Sequence, residues 1–177
     1  CCAVGVAVPG PYLRREGRIA VMTEFAGWEK IDICKQLGAA FEQPVFVEHD
    51  ANAGALGEWS RSANIGRDDV LVHLLASEGI GAGVVIGGKI ISGYRGIFGE
   101  IGHMSINFGG PKCSCGNTGC LELYANIHQM NAQIRSLQNS VKVPSILPVG
   151  KGFYRWREIM NAAAASDFYA LTAVETF

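Results

Sequence analysis

His103, Cys113, Cys115 and Cys120 bring one imidazole and three thiols within eighteen residues. The run is Cys113-Ser114-Cys115-Gly116-Asn117-Thr118-Gly119-Cys120-Leu121-Glu122, and the glycines at 116 and 119 let the backbone fold back on itself. Three thiolates and one imidazole are a ligand set of tetrahedral structural zinc. That mixture selects a borderline-soft ion over calcium or magnesium. Glu100 and Glu122 flank the cluster, so a metal here would also organise a functional pocket. Two plainer readings compete. A disulfide is one, although Cys113 and Cys115 are too close in sequence for easy bridging. A set of buried thiols acting as small hydrophobes is the other, and the dense spacing around turn glycines argues against it.

A second set of reactive groups lies upstream. Val45-Phe46-Val47 reads as a strand that runs into Glu48-His49-Asp50-Ala51-Asn52, and a helix rich in small residues follows from Ala51 to Arg61. Asp50 therefore falls where a strand ends and a helix begins, a usual place for ligand chemistry in α/β folds. A carboxylate there can take a proton from a sugar hydroxyl as general base, or hold that hydroxyl as a plain acceptor. The structural alternative is an N-cap for the helix. Asn52 caps or bridges the same turn, and Glu48 is exposed or locally paired. Glu100 and His103 stand three apart around Gly102, and Glu122 follows the last thiol by two residues. Read together, these carboxylates and histidines offer acceptors for the vicinal hydroxyls of a sugar. Read singly, Glu100 and Glu122 are surface carboxylates. Gly79-Ile80-Gly81-Ala82-Gly83 presents bare backbone amides that suit a phosphate, but Glu78 beside them repels one unless magnesium intervenes. His73 and His128 have no supporting spacing and read as ordinary core or surface residues.

The elements that must position these groups follow from periodicity. Cys2–Val8 has the pattern of a buried strand stopped by Pro9-Gly10-Pro11, and Arg18–Met22 reads as a short strand after the turn at Gly17. Glu29–Phe41 has helical spacing, with Ile31, Ile33, Leu37 and Phe41 sharing a face. Val70–Leu75 and Val84–Ile86 are strands, and Gly87-Gly88 is a hairpin turn signal leading to Lys89–Ile91. Leu121–Leu137 and Trp156–Val174 read as helices, with a Pro- and Gly-containing loop over 142–152. No internal repeat or heptad pattern is present.

A chain of 177 residues with formal net charge −1 can bury a substantial core and has no global basic field to draw it to nucleic acid or anionic lipid. No apolar run is long enough to span a bilayer, and no basic segment precedes Val4–Val8 to make a signal peptide. Cys1, Cys2 and Cys34, with the cluster, read as reduced thiols of a cytoplasmic protein. The chain opens inside a strand-like run without Met and closes in an Ala-rich helical run, as expected of a piece of a longer polypeptide.

Glu100-Ile-Gly-His103, its spacing to Cys113-x-Cys115-Gly-x-x-Gly-Cys120-Leu-Glu122, and the upstream Glu48-His-Asp-Ala-Asn52 resemble the ROK family of repressors, open reading frames and sugar kinases. Val4-Gly-Val-Ala-Val-Pro-Gly10 and Trp28 are similar to its pattern as well. The resemblance runs from the first residues to about residue 130, and more loosely to the end. It implies a partial actin-like ATPase, ribonuclease H-like α/β fold, with the remainder of a first lobe over about 1–66 and a zinc-containing second lobe over about 67–177. It also implies a homodimer, and a structural zinc ion held by His103, Cys113, Cys115 and Cys120. By the same resemblance Asp50 matches the catalytic base, Glu100, His103 and Glu122 match sugar-hydroxyl ligands, Gly10 matches the turn beside the sugar, and Ser77–Gly83, with Gly79 and Gly81, matches a phosphate loop.

Three departures from the kinase pattern matter. His49 stands where the kinases have Asn before the catalytic Asp, which resembles repressors of the NagC and Mlc type and adds His49 to the sugar-binding set. The phosphate loop reads Ser77-Glu78-Gly79-Ile80-Gly81 rather than Gly-Thr-Gly-Ile-Gly, so a hydroxyl is lost and a negative charge gained. The amino-terminal Asp-x-Gly-Gly-Thr motif and the carboxy-terminal adenosine segment are absent from the sequence. The third departure implies only that this fragment is not a complete kinase; with the first two, the resemblance implies the sugar-sensing region of a transcriptional regulator. It would bind a sugar or sugar phosphate and contact DNA only through a domain outside this chain. The alternative it leaves open is an ATP- and magnesium-dependent hexose kinase using Asp50 as base.

Overall fold

The computed structural model describes residues 1–20 and 27–175. By backbone contacts the chain forms two compact units. One holds Cys1–Leu75, Gly81–Ile101 and the turn tip Ser114–Gly116; the other holds Ala76–Ile80, Gly102–Cys113 and the chain from Asn117 onward.

In the first unit, β1 (Val4–Val8) and β4 (Val45–His49) pair in parallel, with Val4 opposite Val45 and Val8 opposite His49. Between them run a short hairpin, β2 (Tyr12–Leu13) and β3 (Arg18–Ile19), and then α1 (Ile33–Ala40). The strand expected over Arg18–Met22 is formed at Arg18 and Ile19, and Val21 and Met22 lie outside the described residues. The helix expected from Glu29 starts later because Asp32 caps it, its side chain accepting from the Lys35 N–H at 2.9 Å. Val8, Tyr12, Ile19, Ile33 and Val47 are buried together as the core beneath this layer.

Helix α2 (Asp50–Arg61) follows β4 with no residue between them. A three-stranded sheet has the order β5 (Val70–Ala76), β6 (Ile80–Ile86), β7 (Lys89–Ile90). The β6–β7 hairpin turns on Gly87 and Gly88, whose φ values of 58° and 75° are those a tight hairpin turn requires. Strand β6 presses on α2 so closely that a Cβ at Gly83 would lie 2.1 Å from the Ala51 carbonyl oxygen.

The second unit is built on α3 (Ile127–Ser140), α4 (Trp156–Ala164) and α5 (Phe168–Glu175), which enclose Ile134, Tyr154, Ile159 and Tyr169. The helix expected from Leu121 begins at Ile127 instead. Asn126 caps it by accepting from the Gln129 N–H at 2.9 Å, and Leu121–Leu123 forms a separate 3₁₀ turn. The single helix expected over Trp156–Val174 is two. Ser166 takes a left-handed φ of 59°, and the Asp167 carboxylate accepts the N–H groups of Tyr169 and Ala170, both at 3.1 Å, to start a new helix. An alanine-rich run hides such a break, since its apolar periodicity continues through it.

Asp167 is 6% exposed. Burial works against its charge, but hydrogen bonds from the Ser145 hydroxyl and the N–H groups of Ala170, Ile146 and Leu147 outweigh it and hold the carboxyl below its ordinary 3.8. A depressed carboxyl contributes stability that is full above the unfolded value and is lost as pH falls through the folded value. Asp167→Ala should therefore cost about 1–2 kcal/mol at neutral pH, the usual worth of a helix cap. The gap from the native chain should shrink as denaturant titrations move below pH 3.8.

Candidate functional site

In the first unit His49, Asp50 and Glu100 come together. Strands β1 and β4 end side by side, so Gly10, with a left-handed φ of 72°, turns the chain just beyond the strand that pairs with His49. His49 is buried at 6% exposure. Its Nε2 lies 3.1 Å from Asp50 Oδ1 and 3.9 Å from Glu100 Oε1. One imidazole thus spans two carboxylates whose sequence positions are fifty apart. Asp50 is the first residue of α2 and His49 stands in the cap position, so Asp50 is a first-turn carboxylate rather than the cap. Its Oδ1 also accepts the Ala51 N–H at 2.7 Å. The amino-terminal end of the helix dipole favours its negative charge.

Glu100 reaches this place through backbone packing. The Ala82 N–H donates to the Gly99 carbonyl at 2.7 Å, and Gly99, at φ 95°, approaches Ala82 so closely that a Cβ would stand 1.9 Å from its carbonyl oxygen. Gly81 sits in β6 with its missing Cβ directed at Ala51 and the His49 ring, 3.7 Å from each. This glycine is packed against the start of α2.

One partner of this junction, Arg14, was not legible from spacing. Glu48 pairs with Arg14, and its Oε1 accepts the His49 N–H at 3.0 Å and the Asn52 side-chain N–H at 3.1 Å. Glu48 is thus locally paired and Asn52 bridges the turn. Arg14 carried no signal, because it meets Glu48 only when the β2–β3 hairpin folds alongside β4.

Glu122, His103, Cys113 and Cys120 belong to the second unit, and Cys115 lies on the turn tip counted with the first. Glu122 lies in the 3₁₀ turn that precedes α3. Its Oε2 accepts the Ile80 N–H at 3.2 Å and would stand 2.8 Å from a Cβ at Gly79. The backbone amide that sequence offered to a phosphate is thus occupied by a carboxylate of the same chain. Asn126 fixes the Glu122 backbone by donating to its carbonyl at 2.8 Å.

His103 ends the turn Ile101–His103. The thiol-bearing loop folds back through bridges pairing Ser105 with Cys120 and Lys112 with Thr118, and the Cys113 N–H closes on the Asn117 carbonyl at 2.9 Å. Gly116 has φ 93°, and a Cβ at Gly119 would fall 1.7 Å from the Asn107 carbonyl oxygen, so both turns require glycine. Asn117 donates to the His103 carbonyl at 3.0 Å. The ligand atoms of His103, Cys113, Cys115 and Cys120 all lie within 4.8 Å of one another. His103 Nδ1 and Cys113 Sγ are 3.7 Å apart. Zinc bonded at about 2.1 Å to nitrogen and 2.3 Å to sulfur in a tetrahedron spaces those atoms by roughly 3.5–3.8 Å. The donor set and its spacing therefore fit zinc, with Cys113 and Cys120 buried and Cys115 exposed.

With this geometry in hand, the ROK family model matches residues 1–177. The xylose repressor of Bacillus subtilis is 38% identical over 174 residues, 98% of this chain and 41% of the repressor. The crystal structure of a ROK family transcriptional regulator, a homolog of the E. coli MLC protein, is 29% identical with a TM-score of 0.79, covering 97% of this chain and 42% of the regulator. A ROK family glucokinase from Streptomyces griseus, solved in complex with glucose and AMPPNP, is 26% identical with a TM-score of 0.81, covering 98% of this chain and 57% of the kinase. The mixed α/β architecture is thus the actin-like, kinase-type fold, over part of its extent. The chain spans about two fifths of the length of the repressors it matches.

If the four-residue cluster takes zinc, elemental analysis of the purified protein will give about one equivalent of metal per chain. Cys115→Ser will release it and lower the melting temperature, since a structural site contributes folding energy directly. A melting temperature unmoved by either chelator or Cys115→Ser would assign the thiols to simple packing.

Proposed function

Because the chain belongs to the ROK family, we propose that it forms the sugar-binding, zinc-stabilised effector region of a transcriptional regulator, acting in a dimer. The observation that carries this reading is His49, whose imidazole lies against Asp50 at 3.1 Å and within 3.9 Å of Glu100. A carboxylate that acts as general base must be free to take the proton of its substrate. The His49 Nε2 beside Asp50 Oδ1, an oxygen that also accepts the Ala51 N–H, leaves that oxygen engaged and the other as a hydroxyl acceptor. Likeness to the Bacillus subtilis xylose repressor supports the same assignment.

In this reading Asp50 and Glu100 accept hydroxyls of a sugar, with His49 setting their orientation and Gly10 giving the sugar room at the strand end. In the second unit Glu122 accepts a further hydroxyl, and His103, binding the metal through one ring nitrogen, donates its other ring N–H to a sugar oxygen. Zinc, held by His103, Cys113, Cys115 and Cys120, supplies rigidity to the 103–122 segment. The sugar changes DNA binding, exerted by a domain outside this sequence, by preferring one state of the dimer. The Glu122 carboxylate on the Ile80 N–H, with Glu78 nearby in sequence, weighs against a triphosphate at the Gly79–Gly81 loop.

A second reading is favoured by the likeness to the glucokinase solved with glucose and AMPPNP. There the chain is part of an ATP- and magnesium-dependent hexose kinase. Asp50 takes the proton of a sugar hydroxyl, which attacks the γ-phosphate in line, and catalysis rests on positioning and charge.

The two readings part in one experiment on the full-length protein. Glucose and xylose are each tested for thermal stabilisation and, with magnesium-ATP, for phosphorylation. A rise in melting temperature without turnover is expected, and steady phosphorylation would overturn the regulator assignment. Glu122→Ala should weaken sugar binding about tenfold or more, the scale of a lost hydrogen bond to a charged group, with zinc retained. Unchanged affinity in a calorimetric titration would leave Glu122 only the task of closing the Gly79–Ile80 turn.

A further inference from the structure

The first unit also carries a basic cleft that none of the chemistry above uses. The β2–β3 hairpin places Arg14 and Arg15 on one side, and the loop after β7 places Ser92, Tyr94 and Arg95 on the other, enclosing about 320 Å³. The two sides are held together by glycine. A Cβ at Gly96, where φ is 77°, would lie 2.8 Å from the Tyr12 carbonyl oxygen, and one at Gly93, where φ is 69°, would lie 3.1 Å from Phe98 Cβ. The Arg15 guanidinium stands 5.7 Å from the centroid of the Tyr94 ring, a contact that orders a long side chain before any ligand arrives.

The charges in the cleft do not cancel. Glu16, the acidic residue of its lining, pairs with Arg18, and Arg14 pairs with Glu48. Among the described residues no ion pair engages Arg15 or Arg95. Arginine and hydroxyl side chains lining one small cleft suit a tetrahedral oxyanion, because guanidinium matches phosphate oxygens with paired N–H donors. The volume lies at the low end of small-molecule cavities, which run from about 300 to 1,000 Å³. It admits a hexose-sized molecule. A formal net charge of −1 gives the chain no field for a long polyanion.

We propose that the cleft of Arg14, Arg15 and Arg95 binds the phosphate group of a small phosphate ester, with Ser92 and Tyr94 donating hydroxyls. Its position gives the ligand a line to the carboxylate site. Arg14 holds Glu48, and Glu48 holds the His49 N–H and the Asn52 side chain. A phosphate that draws Arg14 toward itself loosens Glu48 and is felt where β4 passes into α2. The cleft does not require the sugar reading of Asp50 and Glu100, although a phosphorylated sugar is an occupant both would share.

The test is calorimetric titration of the zinc-loaded full-length protein with glucose 6-phosphate, inorganic phosphate and glucose, against native protein and the R15A/R95A double variant. Both side chains are exposed, so the melting temperature of the variant should be unchanged. Affinity for glucose 6-phosphate should fall at least about tenfold in the variant through loss of charge-assisted contacts, while any affinity for glucose stays as it was. Tighter binding of the ester than of inorganic phosphate makes a sugar phosphate the source of the anion. Equal binding, lost equally in the variant, makes it free phosphate, and either outcome supports the cleft. Ester affinity untouched by the double variant, or no binding of either phosphate compound to the native protein, overturns it. Phosphate binding with no glucose binding at all would leave the cleft standing while the sugar reading fails.

Discussion

Strand β6 and helix α2 touch backbone to backbone where Gly83 meets the Ala51 carbonyl oxygen, a position at which any Cβ would stand 2.1 Å from that oxygen. The contact fixes the first turn of α2, and with it Asp50, against the sheet. One residue away the Ala82 N–H reaches the Gly99 carbonyl, and Gly99 in its left-handed conformation delivers Glu100. His49 completes the arrangement because it lies at the end of β4, in register with Val8 of β1. Two carboxylates facing the Nε2 of a buried imidazole offset part of its removal from water. Loosening the Gly83 contact would shift the helix start and Asp50 relative to His49 and Glu100 together. The glycine-rich run of β6 therefore has a packing cause independent of any phosphate.

A similar economy holds in the second unit. The loop over 103–120 has little core of its own, and its backbone is set by short bridges and by glycines at 116 and 119 that no other residue could replace without clash or strain. Ordering such a loop costs conformational entropy. A metal held by four of its side chains would offset that cost, and the thiol and imidazole positions leave room for one. The adjoining 3₁₀ turn and the Asn126 cap then hold Glu122 against the Ile80 N–H. The same carboxylate can serve as a sugar acceptor or as an internal occupant of the glycine loop.

Charge is distributed unevenly over a chain whose formal net charge is only −1. Carboxylates gather around His49, while guanidinium groups gather on the hairpin and the loop after β7. The Arg14–Glu48 pair joins the two regions. Partly exposed, it gains little stability as an isolated ion pair. It acts by geometry, since Glu48 has a second oxygen engaged with the His49 and Asn52 N–H groups.

Local chemistry was legible in the sequence: the thiol and imidazole spacing, Asp50 at a strand end, the Gly87-Gly88 turn and strands β1 and β4. Each depends on residues near one another along the chain, where spacing fixes geometry directly. Strand β6, by contrast, begins at Ile80, inside the run that reads as a glycine loop. Helix limits were less legible. Asp32, Asn126 and Asp167 set three helix starts by accepting backbone N–H groups, and apolar periodicity runs across those points without marking them. Family membership was also written in the sequence, because the motif from Glu100 to Glu122 is long and particular. Only the tertiary structure decided that His49 spans Asp50 and Glu100, that Glu122 occupies the Ile80 amide, and that Arg14 meets Glu48. The Arg14–Glu48, Ile80–Glu122 and His49–Glu100 contacts join residues 34 to 51 positions apart. No local period encodes them, and they exist only once sheet register and glycine-permitted packing have brought the segments together.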